Sequence, residues 1–253
     1  MADPYALPPL YDLEYQHQSD DVAFYVAVSA RTTGPVFELG CGNGRLMLPI
    51  ARSGVPIHGV DASASMLADL EQKLAREPEH VRQNLHAQLG DFRTAAVEPV
   101  HPLVIWPFNA LHHCPTGADV IQALQTARRA LLPSGGTIYV DCYLPDRKLY
   151  ARTPHGRYEE RTFTDPRDGG TLMSWETGFW DEEKRIHHVT YVYQHADGHE
   201  ESLDLKLHMY EKDEILRFIR EAGLRILWQA SDFFGAPMTP MSLKWVMQLV
   251  PSS

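Results

Sequence analysis

The sequence contains no run of about 18 apolar residues, the length needed to cross a bilayer. The opening MADPYALPPLYDLEYQ has neither the basic start nor the apolar stretch of a secretory signal, so a cytoplasmic protein with no membrane partner is expected. Cysteine is scarce: Cys41, Cys114 and Cys142 are too few and too scattered for a disulfide framework or a CxxC zinc knuckle. Basic residues are outnumbered, 23 Lys and Arg against 33 Asp and Glu for a formal charge of −10, and no basic block is present to release counterions from a phosphate backbone. Nucleic acid is therefore not expected as a partner. Thirteen histidines are present, yet neither His112-His113 nor His187-His188 has the helical spacing of a zinc protease and no HExxH occurs, so no metal is expected. With 44 % apolar content in 253 residues, the chain has material for one sizeable core, and one elaborated domain fits better than two.

From residue 35 to about 141, short apolar runs alternate with helical patterns. Val36 to Leu39, Val55 to Val60, Leu85 to Leu89, Leu103 to Trp106 and Thr137 to Val140 read as buried strands of a parallel sheet with helices on both faces. Ser63 is placed to cap a helix striped by Met66, Leu67, Leu70 and Leu74, with Pro78 as its stop, and Val120, Leu124, Ala127 and Leu131 stripe another. Residues 158 to 210 instead alternate polar and apolar positions around the hairpin signal His195-Ala196-Asp197-Gly198-His199, which predicts an antiparallel insertion. A helix over Lys212 to Ala222 and strands near Leu224 to Gln229 and Lys244 to Val250 follow. The expected organisation is an N-terminal helical arm or lid over 1–34 with a helix near 20–30, an α/β core over 35–141, an antiparallel insertion over 142–210 serving substrate or dimer contacts, and a C-terminal helix and strands over 211–253 that complete the core.

The strongest local signal is Phe37-Glu38-Leu39-Gly40-Cys41-Gly42-Asn43-Gly44-Arg45, a glycine-rich turn after a buried strand. Glycines there let the backbone approach a ligand closely, and a following helix N-terminus offers free N–H groups. Asp61 closes the next strand where an acid accepts hydrogen bonds from ribose hydroxyls. Asp91 follows the third strand, placed to take an adenine amino group while Phe92 offers an apolar face. A nicotinamide-binding GxGxxG is disfavoured, because Arg45 stands at its sixth position and Glu38 precedes the turn. Any one of the three acids alone reads as a solvated loop residue; three in register at strand ends point to a ligand crevice.

FELGCGNGR, then GVDAS with a following Met-Leu pair, then GDFR, resembles the motif series of class I S-adenosyl-L-methionine-dependent methyltransferases of the small-molecule type, over roughly residues 35 to 141. The resemblance implies a Rossmann-like sheet and S-adenosyl-L-methionine (SAM) as cofactor, leaving as S-adenosyl-L-homocysteine (SAH). It implies that Gly40, Gly42 and Gly44 line the methionine portion, with Glu38 beneath the turn near the sulfonium. Asp61 would hold the ribose, Ala62 and Met66 border the adenosine, and Asp91 with Phe92 receive the adenine. Tyr15, Asn43, Arg45, Pro107 and Asn109 complete the expected cofactor set.

Pro107-Phe108-Asn109 departs from the Asn-Pro-Pro-Tyr motif of enzymes that methylate nucleobases or protein amides, which argues against those substrates. Asp141 alone makes a poor site for a hard cation. The expected function is methyl transfer to a nitrogen or oxygen of a small organic acceptor, by in-line displacement in which positioning does most of the work. His112, preferred because it falls three residues after Asn109, and His113 are the candidate bases, with Tyr11 as a further catalytic candidate. Either histidine equally reads as a cap or crevice filler. Tyr158, Trp175, Phe179, Trp180, Tyr191, Tyr193 and Tyr210 either wall an acceptor pocket or, as aromatics at alternate strand positions more often do, pack the sheet. Two other readings stay open, a SAM-binding sensor or scaffold without catalysis, and a homodimer contact on the insertion.

Overall fold

The computed structural model describes residues 5–98 and 100–252; residues 1–4 of the expected arm, residue 99 of the expected core and residue 253 lie outside the described residues. The chain begins with helices α1 (Pro8–Tyr15) and α2 (Asp20–Ser29). Then come β1 (Val36–Leu39), α3 (Met47–Arg52), β2 (Ile57–Asp61), α4 (Ala64–Leu74), α5 (Glu79–Gln83), β3 (Leu85–Leu89), β4 (Leu103–Trp106), a 3₁₀ turn over Ala110–His113, α6 (Gly117–Ala130) and β5 (Thr137–Tyr143). A short α7 (Arg147–Tyr150) leads to β6 (Tyr158–Thr164), β7 (Thr171–Asp181), β8 (Ile186–His195) and β9 (Glu200–His208), and α8 (Lys212–Glu221), β10 (Leu224–Ala230) and β11 (Lys244–Pro251) close the chain.

The helices start where side chains satisfy their first N–H groups. Ser63 Oγ accepts from the Met66 N–H, and Thr116 and Asp119 cap α6 reciprocally, as Glu211 and Glu214 cap α8. The stripe Val120, Ala123, Leu124 and Ala127 of α6 is buried against the sheet, and Ile215, Phe218 and Ile219 of α8 join the same core. Pro78 does not stop α4, which ends at Leu74; it caps the start of α5, where its fixed φ and missing N–H cost nothing. A second difference is α1, which the sequence pattern did not announce.

The seven-stranded sheet runs β10-β11-β5-β4-β1-β2-β3. β1 to β5 pair in parallel, and β11 inserts antiparallel between β5 and β10. Side chains alternate between two cores: Val104 and Trp106 of β4 face α6 and α8, while Leu103 and Ile105 face the side covered by α2 and α3. Strand order reverses between β1 and β4, which opens a crevice beyond their C-terminal ends.

β6 to β9 form the separate antiparallel sheet, with the β8–β9 turn closed by the His195 N–H to the His199 carbonyl at 2.8 Å and Gly198 in the left-handed region (φ 86°). Leu172 and Tyr193 on its inner face pack on Leu10 of α1. That small core ties the arm to the insertion; burying Leu10 completely contributes about 1.5–3 kcal/mol. On its other side α1 is held to α4 by an Asp12–Lys73 ion pair. The arm therefore lies between the insertion and the mouth of the crevice. Of the insertion aromatics, Tyr193 and Trp175 are buried packing residues, Phe179 is 40 % exposed, and Trp180 stacks on Tyr150 at 4.0 Å. Tyr210 donates to the Cys114 carbonyl at 2.6 Å.

Candidate active site

The glycine-rich turn leaves β1 with Gly40, Gly42 and Gly44 all at positive φ (75°, 53° and 83°), a conformation L side chains rarely adopt. A Cβ on Gly44 would stand 2.4 Å from Leu70 Cδ1, so this glycine is needed for the turn to close on α4 and does not face the ligand space. The Asp61 carboxylate braces the turn, Oδ2 accepting the Gly42 N–H at 2.7 Å and Oδ1 the Ser63 N–H at 2.8 Å.

These elements surround a cavity of about 620 Å³, within the range of small-molecule and cofactor sites. Its walls hold Glu38, Gly40, Gly42, Asn43, Arg45 and Asp61, together with Ala62, Met66, Phe92 and Pro107. The expected cofactor residues are thus mostly brought together. Glu38 is buried with Oε2 lacking a partner, and burial pushes its carboxyl well above the usual range while Arg45 works in the opposite direction. Arg45 forms a bidentate pair with the buried Asp21 of α2 and lies 4.2 Å over the Phe108 ring. The Asn43 amide donates to Asp12 at 2.8 Å and to Asp69 at 3.1 Å, joining α1 to α4, and its Oδ1 is unpartnered.

A second cavity of about 420 Å³ lies under the insertion. It shares Tyr5, Tyr11, Phe108 and His113 with the first. Phe108 and Asn109 are both in the left-handed region (φ 57° and 61°), a costly backbone for residues with a Cβ. Asp141 holds them there: its Oδ1 accepts the Phe108 N–H at 2.9 Å and the Tyr25 hydroxyl at 2.7 Å, and its main-chain carbonyl accepts the Asn109 N–H at 3.3 Å.

Several expected site residues require correction. His112 is fully buried behind the 3₁₀ turn, its ring nitrogens 2.9 Å and 3.1 Å from the carbonyls of His208 and Tyr143, so it reaches neither cavity. Asp91 does not line the cleft, because Arg93 clamps its carboxylate and carries on to Asp119 at 2.6 Å. Tyr15 and Asn109 line the second cavity instead of the cofactor cleft; the Tyr15 hydroxyl meets that of Tyr191 at 2.9 Å. His113 stands at the junction, its Nε2 2.8 Å from the Tyr5 hydroxyl, and burial holds it down to about 4, so it is neutral at pH 7. Tyr11 faces both cavities, and burial pushes its phenol up to about 12, so it remains a donor.

Tyr5, Cys41, Ser63 and Phe108 also line the cleft without having been singled out. Cys41 and Ser63 are chain neighbours of motif residues, a signal that was legible; Tyr5 arrives only through the packing of α1. Among the described residues one group has metal-ligand spacing, Asp165, Asp168 and His195, but Arg167 already pairs with Asp165 and none of the three lines either cavity.

Residues 37–138 match the family model described as "Methyltransferase domain". Over 110 residues the chain is 32 % identical to the cypemycin N-terminal methyltransferase of a Streptomyces species, covering 44 % of this chain and 42 % of that protein. The chain spans about half the length of the curated relatives it matches. Among solved structures, the CcbJ methyltransferase from Streptomyces caelestis superposes with a TM-score of 0.76 at 22 % identity, covering 93 % of this chain and 90 % of that one. The sugar N-methyltransferase KedS8 from Streptoalloteichus gives 0.70 at 17 % identity, covering 96 % and 93 %. At these identities the structural likeness speaks for the fold. Residues 37–138 thus match a methyltransferase domain, and the chain as a whole shares its fold with solved methyltransferase structures.

Proposed function

We propose that this protein holds SAM in the first cavity and transfers its methyl group to a nitrogen or oxygen of a small organic acceptor held in the second. The observation that carries this reading is the common wall: Tyr5, Tyr11, Phe108 and His113 belong to both cavities, so ligands in the two meet there. The residues present fit the cofactor. The cleft offers the exposed backbone of Gly40 and Gly42, the unpartnered acceptors Glu38 Oε2 and Asn43 Oδ1, and an apolar side made by Ala62, Met66 and Phe92. When bound, SAM supplies an electrophilic methyl on a positively charged sulfur.

The chain's own residues bind and orient. Asp61, which braces the turn and lines the cleft, accepts the ribose hydroxyls. Glu38 supplies negative charge beneath the turn, and a cation nearby returns its carboxyl to the ionised form. Tyr11 donates to the acceptor, and His113, held neutral at pH 7 by burial, orients it through its ring. The arm and the insertion close over the two cavities, exclude water and select the acceptor. The partner is a small molecule; the formal charge of −10 opposes nucleic acid, and among the described residues no helix is long and apolar enough to cross a membrane.

Calorimetric titration with SAH and with NADH, repeated on Asp61→Ala, tests the reading. Micromolar binding of SAH that the substitution abolishes is expected. Binding of NADH alone, or of neither, overturns it.

A further inference from the structure

The second cavity carries charges that the cofactor does not use. Its walls include four carboxylates, Glu14, Asp146, Glu159 and Glu176, and two guanidinium groups, Arg152 and Arg161. The two arginines are already committed, Arg161 to Glu14 at 2.9 Å and Arg152 to Glu176 at 2.5 Å, each with Glu159 further off at 3.8 Å and 3.6 Å. Four negative groups against two positive ones leave the cavity short of cations.

The deficit is most evident at Glu14. Its side chain is only 6 % exposed, Oε2 takes the Arg161 bond, and Oε1 is buried with no hydrogen bond of good geometry, the Ser174 hydroxyl supplying only a weak one to the carboxylate. A buried carboxylate oxygen without a donor carries a desolvation cost that a ligand cation removes. Consistently, burial raises the Glu14 carboxyl above its usual range. His187 presents a second unpartnered atom, Nε2, in the same cavity; its ring is neutral at pH 7, so it adds a hydrogen-bonding partner and no positive charge. Around these groups stand the rings of Tyr5, Tyr11, Tyr15, Tyr143 and Tyr191, whose faces attract a cation.

We infer that the second cavity is built for a cationic acceptor: a primary or secondary amine, protonated in solution, whose ammonium docks beside the Glu14 carboxylate and gives it one proton, freeing the nitrogen lone pair that takes the methyl, while a polar group elsewhere on the molecule meets His187. This rests on the proposed function and narrows its acceptor from nitrogen or oxygen to amine nitrogen. A hydroxyl acceptor leaves the excess negative charge unmatched. A carboxylate acceptor is repelled by it, because neither arginine is free of its glutamate.

The experiment uses the full chain, titrated with two matched pairs of one-ring probes, cyclohexylamine against cyclohexanol and glucosamine against glucose, with cyclohexanecarboxylate as the anionic control. An amine is expected to bind about tenfold or more tighter than its hydroxyl partner at pH 7, the size of a charge-assisted hydrogen bond. The isosteric Glu14→Gln removes that preference and leaves SAH affinity unchanged, which also reports that the variant is folded. Hydroxyl or carboxylate probes binding as well as the amines, amine preference surviving in Glu14→Gln, or no amine binding at millimolar concentration each overturn the inference. Loss of SAH binding in the unsubstituted protein instead refutes the cofactor reading, so the two failures are distinguishable.

Discussion

Asp141 is the residue whose removal tests the architecture of the site most directly. It is fully buried at the end of β5, accepts the Tyr25 hydroxyl and the Phe108 N–H on one oxygen, and has Lys244 Nζ 3.7 Å from the other. The Lys244 Nζ makes no hydrogen bond and sits about 5 Å over the Tyr143 and Phe233 rings, so Asp141 is its counter-charge. In Asp141→Ala, two buried donors lose their acceptor at about 1–3 kcal/mol each, and a buried cation loses its partner. A net loss of about 3–5 kcal/mol follows, the usual cost of breaking a buried pair from one side. The loss also falls on function. Phe108 and Asn109 each carry about 1–2 kcal/mol of left-handed strain that these bonds sustain, and Phe108 lines both cavities beneath Arg45. Once released, the segment leaves that conformation and SAH affinity falls about tenfold or more, since the lost bonds exceed the 1.4 kcal/mol that a factor of ten requires. Asp141→Asn keeps an acceptor for Tyr25 and Phe108 but still removes the counter-charge of Lys244, so it is expected to lose less stability than Asp141→Ala and to keep SAH affinity near that of the parent. Urea denaturation, compared at constant slope, measures the first effect and calorimetry the second. Should Asp141→Ala unfold within about 0.5 kcal/mol of the parent and bind SAH equally well, the argument that Asp141 holds the loop is wrong.

Two further outcomes follow from the same physical terms. Gly44→Ala places a Cβ in a left-handed backbone and against Leu70, and is expected to lower stability by at least about 1–2 kcal/mol in thermal or urea unfolding, whereas Gly54→Ala, at similar φ but facing open space, reports the backbone strain alone; equal losses in the two refute the close-packing argument. For pH, burial holds His113 and His187 down to about 4, so the unfolded chain takes up protons below about 6.5 that the native state refuses; their contribution is complete above 6.5 and is lost as pH falls toward 4. Glu38 and Asp141, raised by burial, act in the opposite sense, so the histidine effect is read by difference: His187→Gln is expected to flatten the stability–pH slope between 6.5 and 4 by up to about 1.4 kcal/mol per pH unit, and an unchanged slope refutes it.

The lining of the first cavity was legible because its geometry is local. Gly40, Gly42, Asp61, Ala62 and Met66 sit at fixed offsets from strand ends, and a parallel sheet delivers all strand ends to one edge. Residues one step further from a strand were not, and each departure has a visible competitor. Asp91 is drawn off by Arg93, only two residues away, and Asn109 is turned by a left-handed backbone that no local pattern announces. His112 and His113 are indistinguishable as letters; a single step along a 3₁₀ turn sends one between two carbonyls and the other to the junction of the cavities.

By itself the sequence determined the layered α/β core, the antiparallel insertion, the glycine turn with an acid at the end of the next strand, and the family they resemble, because hydrophobic period, capping and φ requirements act over a few residues. Only the tertiary structure decided how α1 lodges between insertion and cleft, that two cavities share a wall, and that the Glu14 carboxylate is buried beside the second cavity. Those outcomes depend on burial and on partners more than a hundred residues apart along the chain, such as Glu14 with Arg161 and Tyr25 with Asp141. Desolvation and orphaned donors or acceptors do not exist until the chain has packed, so no local pattern encodes them.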